Sequence, residues 1–240
     1  DCPAHQVDQV IVLGHAHFTH DAIALLLRDG IPVVFSSLRG GFRGTLAGRQ
    51  GRQVALRAAL YDAMRDEGCR LAVAHAIVAA KLRGHGRLLR QWRIGERAGV
   101  VAALAASRHC RGLDQLRGCE GGAARTFFAG LRVHLAGSGF DFAGRQAHPP
   151  PDPVNAVLSL LYTLMLNEVE VGVAAAGLDP AAGFYHAVAD GRPALLMDLV
   201  EPLRPAADRL AARLLRNALA ADDEAPVTHS VRARVVASPA

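Results

Sequence analysis

Cysteine is scarce in this chain, which has four cysteines in 240 residues and no CxxC pair. Their spacing argues against structural zinc and is typical of scattered reduced thiols in a cytosolic protein. No apolar run approaches the roughly 20 residues that a membrane-spanning helix needs, and no basic-then-apolar leader is visible. We therefore expect a cytoplasmic protein without a membrane segment. The chain begins at Asp1 rather than at methionine, which predicts a native N-terminus upstream.

Lysine is nearly absent. Lys81 is the only lysine, and every other Lys+Arg position is arginine. The stretch from Arg28 to Arg132 holds 19 of the 27 Lys+Arg and 7 of the 22 Asp+Glu, a net charge of +12. The remainder of the chain holds 8 Lys+Arg and 15 Asp+Glu, a net charge of −7. A preference for arginine over lysine explains the residue type but not this segregation. The pattern indicates a polyanion partner, nucleic acid, held near a cation-binding site.

The chain begins with a strand–helix–strand pattern. Val7 to Leu13 and Ile31 to Phe35 are β-rich, and Thr19 is placed to cap a helix between them over Asp21 to Arg28. The Gly- and Arg-rich stretch Ser36 to Arg52 predicts an exposed turn or hairpin and then a linker, without a phosphate-binding GK[ST] motif. His15, His17 and His20 could suggest a metal site, but a polar loop and helix cap fit them better.

From Val54 onward the apolar spacing is helical. We predict the α+β class: a small, truncated N-terminal β domain with one helix (1–48), a linker (49–56), a larger all-α catalytic domain (57–222) and a tail (223–240). Within it, Val154 to Ala176 reads as a long apolar core helix. Buried hydrogen bonds are expected for Asn155 and Tyr162, and exposure for Glu168.

Basic residues cluster at the end of the helix predicted over Leu71 to Leu89. Trp92 lies among its members, which are Lys81, Arg83, His85, Arg87, Arg90 and Arg93. A basic helix end with one aromatic residue fits a ridge that follows phosphates. A solvated helix face explains the same residues about equally well.

Two carboxylates and an imidazole lie close together near the C-terminal end. Asp198 and Glu201 are three residues apart, so a helix over Ala194 to Leu203 would place both on one face of an apolar segment. Two buried carboxylates repel each other unless a cation is present. His186 adds a nitrogen ligand, and this donor set suits Mg²⁺ or Mn²⁺. On spacing alone, solvated acids on an amphipathic helix and a turn histidine are the simpler interpretation.

Glu120 is a further candidate acid. Gly121 and Gly122 follow it directly, which lowers helix propensity and suggests a close backbone approach beside the carboxylate. Alone, Glu120 would be an ordinary acid near a helix N-terminus.

Several segments, in this order and spacing, resemble the CRISPR-associated spacer-acquisition integrase and endonuclease family, Cas-one. VDQVIVLG and ALLLRDGIPVVF are similar to the end of the family's β domain, and the resemblance runs from about Ala4 to Leu215. The family's first strands have no counterpart, so the resemblance implies a truncated β domain. The other similar segments are RGCEGGAAR, DPVNAVLS, AAGLDPAAGFYH and RPALLMDLVEPLRPAADR.

The resemblance implies a metal-dependent DNA endonuclease and integrase that inserts short fragments into a CRISPR array from a 3′-OH. Glu120, His186 and Glu201 align with the metal ligands for Mg²⁺ or Mn²⁺, and Asp198 with a further catalytic acid that holds a second ion or orients the first ligands. Implied partners are double-stranded DNA (prespacer and repeat), a second copy in a homodimer and the small Cas-two protein, in a prokaryotic cytoplasm. DNA-binding candidates are Lys81, Arg83, Arg87, Arg90, Arg125 and Arg204.

Three alternatives remain at this stage. The chain could be a catalytically silent DNA-binding scaffold or a transposon-encoded integrase of the same family. It could also be a metal phosphohydrolase of small substrates, although a small substrate needs no extended basic surface.

Overall fold

The computed structural model describes residues 3–37, 42–48, 54–146 and 149–221. In these residues a small sheet with one helix precedes a larger helical part, so the predicted α+β class is confirmed. Residues 49–53 of the predicted linker, residue 222 and the predicted tail 223–240 lie outside the described residues.

The N-terminal unit is a three-stranded sheet with one helix. Thr19 caps the helix as predicted, and its side-chain oxygen accepts a hydrogen bond from the Ala22 N–H at 3.2 Å. Gly30 then turns the chain with a φ of 70°, a left-handed conformation that favours glycine. The elements are a 3₁₀ turn (Ala4–Gln6), β1 (Val10–Leu13), α1 (His20–Arg28), β2 (Val33–Ser36) and β3 (Phe42–Leu46).

The sheet has the order β1-β2-β3. Strands β1 and β2 are parallel because helix α1 carries the chain back between them, and Val10 lies opposite Val33. Strand β3 pairs antiparallel with β2, with Leu46 opposite Val33, so the hairpin predicted after Ser36 is confirmed over 42–46. Central strand β2 is the most buried part, with Val33 and Val34 fully covered.

The helical part begins at Val54, so the last three positions of the predicted linker are helical instead. Asp66 and Asp152 cap two of the long helices through hydrogen bonds from the N–H groups of Cys69 (2.6 Å) and Asn155 (2.7 Å). The elements are α2 (Val54–Arg65), α3 (Glu67–Gln91), α4 (Arg97–Ser107), α5 (Leu113–His134), α6 (Pro153–Ala175), α7 (Ala194–Val200), a 3₁₀ turn (Glu201–Leu203) and α8 (Arg204–Ala221).

Two apolar clusters hold the long helices together. Helices α3, α4 and α5 share one cluster, in which Leu82, Leu89 and Phe127 are almost completely buried. Helices α6 and α8 share the other, which includes Leu158 and Leu215. Full burial of one such side chain is worth about 1.5–3 kcal/mol, so these clusters fix where the polar side chains between the helices must lie.

Helix α6 corrects one expectation from the sequence. Its residues Pro153–Ala174 are long and apolar enough to cross a membrane by length and composition, although no such run was expected. As predicted, Asn155 and Tyr162 on this helix are buried and hydrogen-bonded, and Glu168 is exposed. Asn167 donates a buried hydrogen bond to Ser36 Oγ at 3.0 Å. Packed polar groups of this kind are typical of a helix inside a folded domain.

Helices α3 and α8 approach each other closely at Gly84. A Cβ atom at this glycine would lie 2.5 Å from Pro205 Cγ. Two contacts join the helices here, Gly84 with Pro205 and His85 with Asp208, and Lys81 contacts Glu201 in the 3₁₀ turn just before α8. The facing sides of α3 and α8 therefore carry polar side chains around this contact.

We expect Gly84→Ala to lower the free energy of unfolding by about 1–3 kcal/mol, because the added methyl group overpacks the α3–α8 contact. Gly118→Ala is the matched control, since a Cβ there has open space within helix α5. The control should gain up to about 1 kcal/mol from helix propensity. Urea unfolding followed by circular dichroism measures both variants, and equal behaviour of the two would contradict the close approach.

Candidate active site

Two carboxylates from different helices converge on one ammonium group. Lys81 Nζ on α3 lies 2.5 Å from Glu120 Oε1 on α5 and 2.5 Å from Glu201 Oε2, directly after α7. The three side chains are 9%, 16% and 7% exposed. The sequence predicted a cation between Asp198 and Glu201. The structure instead brings Glu120 to Glu201, and the cation between these two carboxylates is the ammonium of Lys81.

The second oxygen of Glu201 is also held. Arg204 Nε donates to Glu201 Oε1 at 2.8 Å, and the Arg204 guanidinium lies 4.4 Å from the centre of the Tyr162 ring. Burial alone would raise the pKa of Glu201, but Lys81 and Arg204 outweigh burial and hold that pKa below its ordinary value. Glu201 is therefore an ionised carboxylate near neutral pH.

Asp198 organises the segment that carries His186. Its Oδ2 accepts hydrogen bonds from the N–H groups of Phe184 (2.6 Å) and Tyr185 (2.9 Å). Its Oδ1 accepts from the His186 N–H (2.9 Å) and from His186 Nδ1 (2.7 Å). The buried carboxylate thus fixes the Nδ1–H tautomer of His186 and leaves the Nε2 lone pair for a ligand.

The carbonyl groups of the same segment are held from the opposite side. Arg70 Nε on α3 donates to the Phe184 carbonyl at 2.9 Å, and Arg117 Nη2 on α5 donates to the Tyr185 carbonyl at 2.8 Å. Gly183 lets the segment press against α7, because a Cβ there would lie 2.5 Å from Ala194 Cβ. Three helices therefore set the position of His186.

A second polar layer lies behind Glu201 and was not predicted. Asp208 is completely buried, with its Oδ1 accepting from the Tyr162 hydroxyl and its Oδ2 from His85 Nε2 at 3.0 Å. The His85 ring stacks on Phe127 with 3.8 Å between centroids. Burial is the main reason that the pKa of His85 falls below its ordinary value. A neutral His85 agrees with the geometry, since its buried Nδ1 has no hydrogen-bond partner.

The structure separates the predicted site residues into groups. It brings Glu120 and Glu201 together and joins His186 to Asp198. Their roles in catalysis stay predictions. His15, His17 and His20 are exposed, and the described residues contain no cluster of three His, Cys, Asp or Glu side chains arranged to hold a metal.

The predicted basic ridge needs a correction at one end. Arg83, Arg87 and Arg90 are exposed, as a phosphate-binding surface requires. Lys81 and His85 are buried, Lys81 paired with two carboxylates and His85 with Asp208, so neither lies on that ridge. The four-residue step from Lys81 to His85 signals a second, inward polar face of α3.

The two remaining DNA-binding candidates, Arg125 and Arg204, also differ in how exposed they are. Arg125 is exposed on α5. The Arg204 side chain is 25% exposed and paired with Glu201, because it lies at the polar contact between α8 and the site rather than on an open surface.

The chemical types of the donor atoms suit a hard divalent ion. Glu120 Oε1 and Glu201 Oε2 already share one cation, and His186 Nε2 is free of the Asp198 contact that fixes its ring. Carboxylate oxygens with one imidazole suit Mg²⁺ or Mn²⁺. Glu120, Glu201 and His186 are therefore the residues that could hold the ion.

Fold and site together define a mainly helical α+β protein with a buried pair of carboxylates around one cation and a histidine held by a buried aspartate. The chain belongs to the Cas1 family, because the profile described as "CRISPR associated protein Cas1" matches residues 1–232. The family resemblance inferred from the sequence motifs is confirmed.

Curated relatives agree with this membership. "CRISPR-associated endonuclease Cas1 1" of Thermus thermophilus is 40% identical over 226 residues, which are 94% of this chain and 70% of the relative. A "CRISPR-associated exonuclease Cas4/endonuclease Cas1 fusion" of Geobacter sulfurreducens is 38% identical over 215 residues. This second match covers 83% of the chain but 38% of the fusion protein.

Solved structures show the same fold. A Cas1 protein from Thermotoga maritima superposes with a TM-score of 0.81 at 21% identity, over 91% of this chain and 70% of that chain. A structure titled "Casposase bound to integration product" gives a TM-score of 0.78 at 23% identity, over 88% of this chain and 61% of that chain.

We expect Asp198→Asn to destabilise the fold by about 2–4 kcal/mol, because its NH₂ group would face N–H donors that now bind a carboxylate oxygen. Chemical unfolding measures the loss, and ¹⁵N NMR of His186 should show that Nδ1 is no longer fixed as the protonated nitrogen. Asp190→Ala, an exposed change in the same segment, should stay within about 0.5 kcal/mol of wild type. An unchanged His186 spectrum in Asp198→Asn would contradict the orienting role.

The lowered pKa of His85 predicts a loss of stability on acidification. Below about pH 6.5 the unfolded chain binds a proton at this histidine that the folded chain still excludes, so the free energy of unfolding falls as pH falls. We expect His85→Gln to show a shallower decline between about pH 7 and 5 than wild type. His109→Gln, at an exposed histidine, should decline as wild type does. Parallel curves for wild type and His85→Gln would show that His85 is not the group responsible.

Proposed function

We propose that this protein is a metal-dependent DNA endonuclease and integrase, which joins short DNA fragments to a CRISPR array through attack of a 3′-OH on a phosphodiester. The observation that carries the proposal is the convergence of Glu120 and Glu201 on one cation position, 2.5 Å from each carboxylate. His186, which Asp198 orients, is the third candidate ligand.

Similar proteins support the proposal through their names. The relatives from Thermus thermophilus and Moorella thermoacetica, 40% and 35% identical, are both called Cas1 endonucleases. The casposase structure, similar in fold, contains an integration product. This chain spans only part of each of these proteins, so their activity enters here as a proposal.

Each site residue has a separate task in the proposed reaction. Glu120, Glu201 and His186 Nε2 would hold Mg²⁺ or Mn²⁺. When bound, such an ion polarises the scissile phosphate and lowers the pKa of the attacking hydroxyl. Arg204 orients Glu201 by donating a hydrogen bond to Glu201 Oε1. Both oxygens of Asp198 already accept two hydrogen bonds each, which favours an orienting role for Asp198 over a second ion.

The surface beside the α3–α8 contact supports DNA as the substrate. Helices α3 and α8 meet at Gly84 and Pro205, and each of them carries a row of exposed arginines at helical spacing. Two rows of positive charge can follow a phosphate backbone without reading sequence. The rows are Arg83, Arg87 and Arg90 on α3, and Arg209, Arg213 and Arg216 on α8.

A cavity beside the site adds to this positive surface. It has a volume of about 480 Å³ and is lined by Arg70, Arg111 and Arg117, with Ala187 next to His186. Asp114 is the one acid on its wall, and it pairs with Arg117 at 2.7 Å. A phosphate group close to His186 would find guanidinium partners there.

The proposed partners follow from the family and its complexes. A structure titled "Cas6-RT-Cas1--Cas2 complex" superposes with a TM-score of 0.75 at 23% identity. This supports a Cas2-type partner alongside double-stranded DNA. We also propose a homodimer acting in a prokaryotic cytoplasm.

Strand transfer tests the proposed reaction. A short duplex with a free 3′-OH, supercoiled plasmid and Mn²⁺ should give joined product that disappears with EDTA. Glu120→Ala and His186→Ala should each lower the rate at least about 100-fold, because each removes a group that would hold the ion. Gel analysis of plasmid-linked label measures the product.

The matched controls are Glu67→Ala and His109→Ala, which change an exposed acid and an exposed histidine. Both should retain the activity of wild type. Retarded DNA without product under any metal would overturn the proposal and favour a silent DNA-binding scaffold.

A further inference from the structure

Lys81 occupies the position that a divalent ion would take. Its ammonium is 2.5 Å from one oxygen of Glu120 and 2.5 Å from one oxygen of Glu201, in a site where all three side chains are at most 16% exposed. Lys81 is the only lysine of the chain, whereas exposed basic positions use arginine. An ammonium is a compact point charge with three donors, so it can bridge two carboxylates in a gap that also suits a metal ion.

The oxygen atoms of Glu201 are already divided between two cations. Arg204 holds Oε1 at 2.8 Å, and Lys81 holds Oε2. The Arg204 guanidinium is further fixed over the Tyr162 ring, whose hydroxyl donates to buried Asp208. Lys81 has no comparable anchor, because its two bonds among the described residues go to the carboxylates that would bind the ion. Oε2 is therefore the Glu201 oxygen that can change partners.

An ion and the ammonium cannot share this gap at low cost. A magnesium ion binds carboxylate oxygen at about 2.1 Å, so an ion held by Glu120 and Glu201 would compete with Nζ, which lies 2.5 Å from an oxygen of each. The repulsion between two cations is strong where little water screens it. One divalent ion also balances the two carboxylates by itself, without the lysine.

We propose that Lys81 is a built-in competitor of the divalent ion: its ammonium holds Glu120 and Glu201 together in the metal-free protein and leaves them when the ion binds. The inference rests on the proposed function, because it takes these two carboxylates as metal ligands. The released ammonium stays on α3 beside the site, where it becomes available to a phosphate oxygen of the DNA.

Metal affinity provides the first test. Isothermal titration of DNA-free protein with Mn²⁺ should show at least about tenfold tighter binding for Lys81→Met, which removes the competing charge at similar length. Arg83→Met removes one positive charge two residues away, at an exposed position of the same helix, and should change the affinity less than about twofold. Equal or weaker binding by Lys81→Met, or no binding by either wild type or Lys81→Met, would overturn the proposal.

The second test uses the wild-type chain and so does not depend on how the variant folds. Because Lys81 is the only lysine, ¹⁵N-lysine labelling gives a single Nζ signal. An ammonium held by two buried carboxylates exchanges slowly with water and should be visible. Addition of Mg²⁺ should shift or broaden this signal with the same saturation curve as calorimetry, whereas NaCl at equal ionic strength should leave it unchanged.

The outcomes separate this inference from the proposed function. Metal-dependent strand transfer with an Nζ signal that ignores bound Mg²⁺ would overturn the role of Lys81 and leave the reaction standing. Release of Lys81 by Mg²⁺ in a protein that joins no DNA would support the exchange and count against the proposed reaction.

Discussion

The arrangement of the site depends on two buried carboxylates that need a cation between them. Glu120 and Glu201 come from different parts of the chain, and their negative charges would repel each other if no positive charge were present. Lys81 supplies that charge from helix α3, and Arg204 neutralises the other side of Glu201. Such a buried cluster adds little net stability, because desolvation offsets the attraction. It does determine how α3, α5 and the start of α8 are positioned, since removing one partner leaves an unpaired buried charge.

The rest of the helical part supports this cluster through two sets of hydrogen bonds. Asp198 holds the backbone before His186 from one side, and two arginines hold its carbonyl groups from the other. Behind Arg204, Asp208 accepts hydrogen bonds from both Tyr162 and His85. Because these polar groups are buried and almost fully paired, small shifts of the helices are costly. The imidazole and the carboxylates are therefore held in fixed positions.

Local sequence patterns predicted the elements well where one feature dominates. The cap at Thr19, the strand–helix–strand unit and the helix through Asp198 follow from residue types within a few positions, and the structure contains all of them. Lys81 was placed on an exposed ridge because basic residues at helical spacing normally point to water. Two local patterns indicated inward polar faces: the i, i+4 pair Lys81 and His85, and the set Glu201, Arg204 and Asp208. Neither pattern identifies the residues that it contacts, because those residues are far apart in the chain.

The sequence by itself determined the α+β class, the family and the residue types of the site, since these depend on local periodicity and on motifs in a fixed order. Only the tertiary structure decided that Glu120 lies near Glu201 and that the single lysine lies between these carboxylates. It also decided that Asp198 accepts hydrogen bonds from the backbone at His186. The two contacts of Lys81 join residues 39 and 120 positions apart. They form because the apolar faces of α3, α5 and α8 pack together and bring the polar groups along, which no local pattern encodes.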